Sequence, residues 1–275
     1  MSTLGPRSRP VRPVGVAALL AVAASTGLFA WNAQAATSPA SSSPVSSAAS
    51  PATVTAADGV MAYTAADGQT NKLTIKRISE TDTTLTFGVD DVVEITAGTD
   101  CTHPTATDLT YVTCTVPVPD PDHGGDQGTV ELGDGNDSIK ISGGDVSVYG
   151  GDGDDTINGA SVAVGGDGDD TISHTTNANG NAGNDTITDS FAVWGGDGDD
   201  TVIGDDVANE IYGGPGNDYL DGAGNDDSIY GEEGDDTIKG GPGNDYLFGG
   251  PGQDDIDGGP GDNVIYQDGS VPDGF

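Results

Sequence analysis

Aspartate recurs in this chain at fixed distances from glycine, and that spacing is the feature most able to do chemistry. In Gly150-Gly151-Asp152-Gly153-Asp154-Asp155-Thr156-Ile157-Asn158 a carboxylate at position 6 follows glycines at positions 1, 2 and 4. The pattern Gly-Gly-x-Gly-x-Asp-x-aliphatic-x returns at 165, 180, 195, 213, 222, 231, 240, 249 and 258, with variations, and an earlier copy starts at Leu132. Position 6 carries Asp137, Asp155, Asp170, Asp185, Asp200, Asp218, Asp227, Asp236, Asp245 and Asp254, while Asp134, Asp152, Asp167 and Asp197 stand at position 3. Carboxylates repeated this closely repel one another. A hard cation relieves the repulsion, and Ca²⁺ takes six to eight oxygens from carboxylates and backbone carbonyls. Glycine-rich turns expose those carbonyls. The three histidines, His103, His123 and His174, form no His-Glu-x-x-His motif, and no Gly-x-Ser-x-Gly elbow exists. Metal binding is therefore the chemistry the sequence offers, and catalysis is not expected.

The elements that must hold these aspartates follow from the same nine residues. Positions 1, 2 and 4 need positive φ or close backbone approach, which glycine tolerates; Asn225 replaces one glycine and is the side chain best suited to that region. Position 8 is a single aliphatic: Ile139, Ile157, Ile172, Ile187, Val202, Leu220, Ile229, Ile238, Leu247, Ile256 and Ile265. Six residues should turn and three should form a strand with its middle side chain inward. Thr156, Thr171, Thr186 and Thr201 face outward, as β-branched residues suited to a ladder. Two such units make one coil, coils stack at about 4.8 Å, and the aspartates fall into rows along the edges. So little inward apolar surface cannot offset the ordering of the chain, so metal binding must contribute to folding.

These copies resemble the haemolysin-type calcium-binding repeat of the repeats-in-toxin (RTX) family, over about half the chain. The resemblance implies an all-β fold, a parallel β-roll or right-handed β-solenoid, with several Ca²⁺ ions each held between turns on the same edge of adjacent coils. The aspartates named above would supply charge. Turn glycines, Gly213, Gly216, Gly222, Gly231, Gly234, Gly240, Gly243, Gly249, Gly252, Gly258 and Gly261, would complete the shells through their carbonyls.

The spacing departs from a uniform repeat. Starts at 150, 165, 180 and 195 are fifteen apart, and from 213 onward they are nine apart. In the first stretch each coil should have one calcium turn and one short return: Gly159–Val164, His174–Asn179 and Asp189–Trp194. Val162 and Val164, then Phe191 and Val193, alternate in two of these, while His174-Thr175-Thr176-Asn177-Ala178-Asn179 reads as polar throughout and names no residue to fill the core. One edge should carry calcium turns throughout, from 132 to 249, giving up to seven sites between turns. The other has good turns only at 222, 240 and 258; Val146 and Asn209 replace aspartate in its earlier copies, Asn263 weakens the last, and Asp262 is a candidate to rescue it.

The rest of the chain divides by composition. Residues 1–35 read as a secretory signal peptide: Arg7, Arg9 and Arg12, then an apolar stretch from Val14 to Ala30, then Ala33-Gln34-Ala35 before a cleavage site at Ala36. A membrane anchor is the competing reading, disfavoured by the short run. Residues 36–57 form an Ala/Ser/Thr/Pro-rich linker. Residues 58–131 form a small β region, an N-terminal cap of the roll, with alternation in Lys72–Lys76, Thr84–Phe87 and Val92–Ile95. Its cysteines, Cys101 and Cys114, suggest a disulfide in an exported chain, with a Cys-based metal site near His103 as the alternative. The roll spans 132–266, and 267–275 are a C-terminal tail.

Composition limits the partners. Of 275 residues 45 are Asp or Glu and 8 are Lys or Arg, a formal charge of −37. Nucleic acid and anionic membrane are disfavoured and cations favoured. The function expected is a secreted, extracellular calcium-binding protein. A calcium-dependent adhesin or cell-surface component is the alternative, with an unidentified surface or matrix partner. An enzyme accessory module is a weaker third.

Overall fold

The computed structural model describes residues 50–267 apart from 58, 82 and 119–126. The expected leader, the linker up to residue 49, His123 and the tail from 268 lie outside the described residues. The strands are β1 (Ala52–Ala57), β2 (Val60–Thr64), β3 (Lys72–Glu80), β4 (Thr84–Asp90), β5 (Ile95–Ala97), β6 (Cys101–Thr102), β7 (Tyr111–Pro117), β8 (Gly128–Asp134), β9 (Ser138–Ser142), β10 (Val146–Asp152), β11 (Thr156–Asn158) and β12 (Val162–Asp167). They continue with β13 (Thr171–Ser173), β14 (Asn177–Ala182), β15 (Thr186–Ser190), β16 (Ala192–Asp197), β17 (Thr201–Gly204), β18 (Glu210–Tyr212), β19 (Tyr219–Asp221), β20 (Ser228–Tyr230), β21 (Thr237–Lys239), β22 (Tyr246–Phe248), β23 (Asp255–Asp257) and β24 (Val264–Tyr266).

From β8 onward the chain alternates between two sheets, even strands in one and odd strands in the other, each paired in parallel with the strand of the next coil. This is a parallel β-solenoid. In the odd sheet Ile139, Ile157, Ile172, Ile187, Val202, Leu220, Ile238 and Ile256 align in register. In the even sheet Val148, Ala163, Ala178, Val193, Ile211, Ile229, Leu247 and Ile265 do the same. These two columns face each other and make a core one side chain deep per strand. Almost all are fully buried; Ile265, in the last described strand, is 43% exposed.

The short returns solve the core problem with small residues. Ala163, not Val162 or Val164, points inward, and in the polar stretch 174–179 Ala178 fills the inward place. At the corner behind them the buried hydroxyls of Thr175 and Ser190 lie 2.8 Å apart, each satisfying the other. The expected division into six turn and three strand residues holds in the C-terminal coils. In the early coils β10, β12 and β16 run on through the first three turn positions.

The solenoid does not begin at the first recognisable repeat. β2 pairs in parallel with β8 and β3 with β9, so that Tyr63 stacks on Val130 and Leu73 on Ile139. Residues 60–74 are thus a coil without the repeat signature. Its turn ends at Asn71, whose carbonyl accepts from Ser138 N–H (3.0 Å) as a position-6 carbonyl does in every later coil. Beyond it β4, β7 and β6 extend the odd sheet antiparallel, and β1 and β5 extend the even sheet. Cys101 and Cys114 are disulfide-bonded across β6 and β7, which leaves no thiolate there for a metal site. Val92–Glu94, read as part of a strand, is instead a bend: Asp91 Oδ1 accepts the N–H of Val92 (2.6 Å) and of Lys72 (2.8 Å), and Val92 is 62% exposed.

On the outer face of the even sheet, Trp194, Tyr212, Tyr230, Phe248 and Tyr266 occupy successive register positions. Trp194 and Tyr212 stack at 5.8 Å and Tyr212 and Tyr230 at 4.8 Å; the later rings are tilted.

Candidate metal centre

The position-6 aspartates meet in two rows. Along the first edge the N–H of each donates to Oδ1 of the next, from Asp137 to Asp155 and on through Asp170, Asp185, Asp200, Asp218, Asp236 and Asp254, at 2.8–3.1 Å. Asn71 N–H opens the row on Asp137 Oδ1 at 2.6 Å. Along the second edge Asn209 donates to Asp227, Asp227 to Asp245 and Asp245 to Asn263 in the same way. Each main-chain carbonyl accepts from position 7 of the next coil, as Asp137 O does from Thr156 N–H (2.9 Å). One polar atom is left over. Oδ2 of Asp137, Asp155, Asp170, Asp185, Asp200, Asp218, Asp227, Asp236, Asp245 and Asp254 is buried without a hydrogen-bond partner. An ionised oxygen in that state costs free energy unless a cation or a proton joins it.

Glycine at position 1 is explained by this oxygen. A Cβ on Gly150 would stand 2.2 Å from Asp155 Oδ2 and 2.3 Å from the carbonyl oxygen of Gly165 in the next turn. Gly165, Gly180, Gly195, Gly213 and Gly231 repeat the arrangement with Asp170, Asp185, Asp200, Asp218 and Asp236, and Gly222 and Gly240 repeat it on the second edge. The carboxylate oxygen and a carbonyl from the following turn thus converge beside the same bare Cα. Position 4 is bare for another reason: at Gly234, φ is +142° and a Cβ would lie 1.5 Å from Gly216 O. Gly216, Gly243, Gly252 and Gly261 are pressed against the preceding turn's carbonyl in the same way.

The electrostatics agree. Burial first, and then neighbouring carboxylates, push Asp155, Asp185 and Asp236 up to about 6 and Asp170, Asp200, Asp218 and Asp227 up to about 7, against partial relief from the backbone N–H each accepts. Asp137 and Asp245 are raised for the same leading cause. Among the described residues no three His, Cys, Asp or Glu side chains converge as a cage. The carboxylates arrive singly, one per turn, so any ion held here must draw most of its oxygens from carbonyls. The residues fit a hard, oxygen-seeking cation.

The structure sorts the expected ligands. The position-6 aspartates are brought together and largely buried, whereas Asp134, Asp152, Asp167 and Asp197 at position 3 lie exposed on the outside of the turns. Among the described residues Gly249 is the last glycine of its edge at position 1, with Asp254 Oδ2 beside it. In the first copy position 1 is Leu132, buried in the core, where the later turns of that edge have glycine. On the second edge Val146 is core, and Asn209 directs its Oδ1 to the place of the aspartate Oδ2, 2.2 Å from where a Gly204 Cβ would be. Asn263 turns Nδ2 toward that place and donates to Gly258 O (2.6 Å). Asp262 is exposed and gives its N–H to Asn244 Oδ1 (3.0 Å).

Position 5 was not singled out from the sequence. Its N–H donates to the side-chain oxygen of position 5 in the preceding coil: Asp154 to Asn136, Asp169 to Asp154, Asn184 to Asp169, Asp199 to Asn184, Asn217 to Asp199, Asp235 to Asn217 and Gln253 to Asp235, at 2.8–3.2 Å. This ladder runs opposite to the one at position 6. The signal lay in the constant presence there of Asp, Asn or Gln, whose side-chain carbonyl oxygen is interchangeable in this role.

A family profile described as the RTX calcium-binding nonapeptide repeat, in four copies, matches residues 132–162, 194–229 and 230–265. The stretch it passes over, 163–193, lies where six-residue returns replace the second nonapeptide. No curated protein and no solved structure matches the chain. Over the matched stretches the chain carries RTX calcium-binding nonapeptide repeats, which supports a relationship to the RTX-type family.

Proposed function

We propose that this is a secreted calcium-binding protein in which Ca²⁺ between successive turns completes the roll and drives its folding. The single observation that carries the reading is the row of buried, unpartnered Oδ2 atoms. Asp155, Asp170, Asp185, Asp200, Asp218 and Asp236 on one edge, and Asp227 and Asp245 on the other, would hold the ions with carbonyls of the adjoining turns. The bound cation supplies positive charge to carboxylates that are otherwise costly to bury. Position-3 aspartates at the rim add negative potential that draws cations inward. Residues 36–51 serve as linker, β1 to β7 as the cap, whose segment 60–74 is also the first coil, 128–266 as the roll and 267–275 as tail. The leader at 1–35 and the disulfide suit an oxidising exterior, where calcium is abundant enough to fill weak sites that stay empty in a cytosol. The role is binding and structure rather than catalysis.

The test is far-UV circular dichroism and calcium calorimetry on the mature chain. In EGTA the roll should lose most of its β signal, and added calcium should restore it with uptake of several ions. Identical spectra in both conditions would overturn the reading.

A further inference from the structure

Outside the predicted leader the chain has five basic residues, Lys72, Lys76, Arg77, Lys140 and Lys239. Three of them share one surface. Alternation with buried Leu73, Ile75, Ile139 and Ile141 turns Lys72, Thr74, Lys76 and Lys140 outward on β3 and β9. Thr74 is the register partner of Lys140, so Lys140 sits diagonal to both other lysines, at roughly 7–8 Å between backbones. All three are exposed, and among the described residues none makes an ion pair or side-chain hydrogen bond. Next to Lys76, across its register partner Gly88, lies the ring of Tyr111: a Cβ on Gly88 would stand 2.6 Å from the phenol oxygen and 3.1 Å from a ring carbon. Asp90 is the one outward carboxylate on β4, β7, β9 and β3 up to Lys76. A chain so rich in acid thus gathers its scarce cations where carboxylates are fewest and leaves them unpaired.

We propose that this face docks an acidic polysaccharide, with the lysines taking its carboxylate or sulfate groups, Tyr111 stacking on a sugar ring and Thr74 bonding hydroxyls. The charge of the patch selects an anion, and screening within about 8 Å at physiological ionic strength lets it act locally on a net-acidic molecule. Nucleic acid is disfavoured because a single strand needs a series of stacking aromatics, and this face has one. Ile78 on the same strand is 45% exposed, so anionic vesicles are a further arm of the test, and tighter binding to them than to hyaluronan would overturn the proposal. The inference does not rest on which atoms ligate calcium.

The experiment uses the calcium-loaded mature chain and a fluorescein-labelled hyaluronan decasaccharide, followed by anisotropy. Hyaluronan should bind, dextran of equal length should not, and binding should weaken as sodium chloride is raised. The double variant Lys72→Glu/Lys140→Glu should weaken binding at least about tenfold, Tyr111→Ala should weaken it less, and Lys239→Gln should leave it unchanged. Lys72→Gln/Lys140→Gln, which adds no negative charge, covers any folding defect of the reversal. Absence of hyaluronan binding, equal binding by the double-Gln variant, or stronger binding of single-stranded DNA of equal charge would each overturn the proposal.

Discussion

Asp155 gives its N–H, its carbonyl and one carboxylate oxygen to neighbouring coils and keeps Oδ2 for something outside the protein. Its carboxyl is raised to about 6, and that of Asp170 to about 7, chiefly by burial. The sign follows from linkage. A carboxyl whose folded pKa lies above its unfolded value penalises the calcium-free fold fully above about pH 7, and the penalty fades as the pH falls toward the usual carboxylate range near 4. In calcium-free buffer the β signal of the roll should therefore be lowest at pH 8 and recover toward pH 5. Calcium affinity measured by calorimetry should fall over the same interval, because protons compete for Oδ2. Asn209 offers a second test. Its Oδ1 stands in the ligand place, while its Nδ2 donates to Asp205 Oδ1 (2.9 Å). Asn209→Asp exchanges the bond to Asp205 for a second carboxylate that needs a cation, so folding of the C-terminal coils should require more calcium. It should also add one bound ion in calorimetry. The position-6 row was legible in the sequence because aspartate fills it in ten copies at fixed distance from the glycines. The position-5 ladder was not, because three residue types share the oxygen it uses.

At the scale of elements, the coil at 60–74 was hidden. Its turn, Ala66-Asp67-Gly68-Gln69-Thr70-Asn71, lacks glycine at positions 1, 2 and 4, and its partner strands lie more than sixty residues away at β8 and β9. Asn71 takes the position-6 place without a charge, and its Oδ1 accepts from the Tyr63 hydroxyl (3.2 Å). The same single O–H is shared with buried Asp91, whose Oδ2 is the nearer acceptor. Protein groups thus satisfy the junction that calcium would serve elsewhere. Around it Met61, Tyr63, Leu85, Phe87, Val89 and Val112 bury far more apolar surface per residue than the later coils do, and the disulfide closes a loop worth about 3 kcal/mol. Hydrogen exchange in EGTA should find β2, β3, β4 and β7 protected while β17 to β24 exchange freely. Uniform loss of protection along the chain would contradict this. The core at 174–179 was illegible for a related reason: the inward place falls to Ala178, and only its pairing with Ala163 and Val193 in the neighbouring coils reveals it.

At the scale of the molecule, a formal charge of −37 sets up two distinct needs. Diffuse repulsion among exposed acids is screened by any salt. The buried Oδ2 row is not, because it requires an ion inside the turns. Half-molar sodium chloride in EGTA should therefore leave the C-terminal coils unfolded, whereas millimolar calcium at low salt should fold them, as read by sedimentation velocity or circular dichroism. If sodium alone folds the roll, general screening rather than site binding is responsible.

The aromatic column on the even sheet has an optical consequence. Trp194 and Trp31 are the only tryptophans, and Trp31 belongs to the predicted leader. The mature chain then carries a single indole, stacked on Tyr212 at the coil where fifteen-residue turns give way to eighteen. Its fluorescence and its coupling with the tyrosines behind it will report one place only. The molecule has a built-in dye at the seam between its two halves, and the order in which they assemble can be watched without a label.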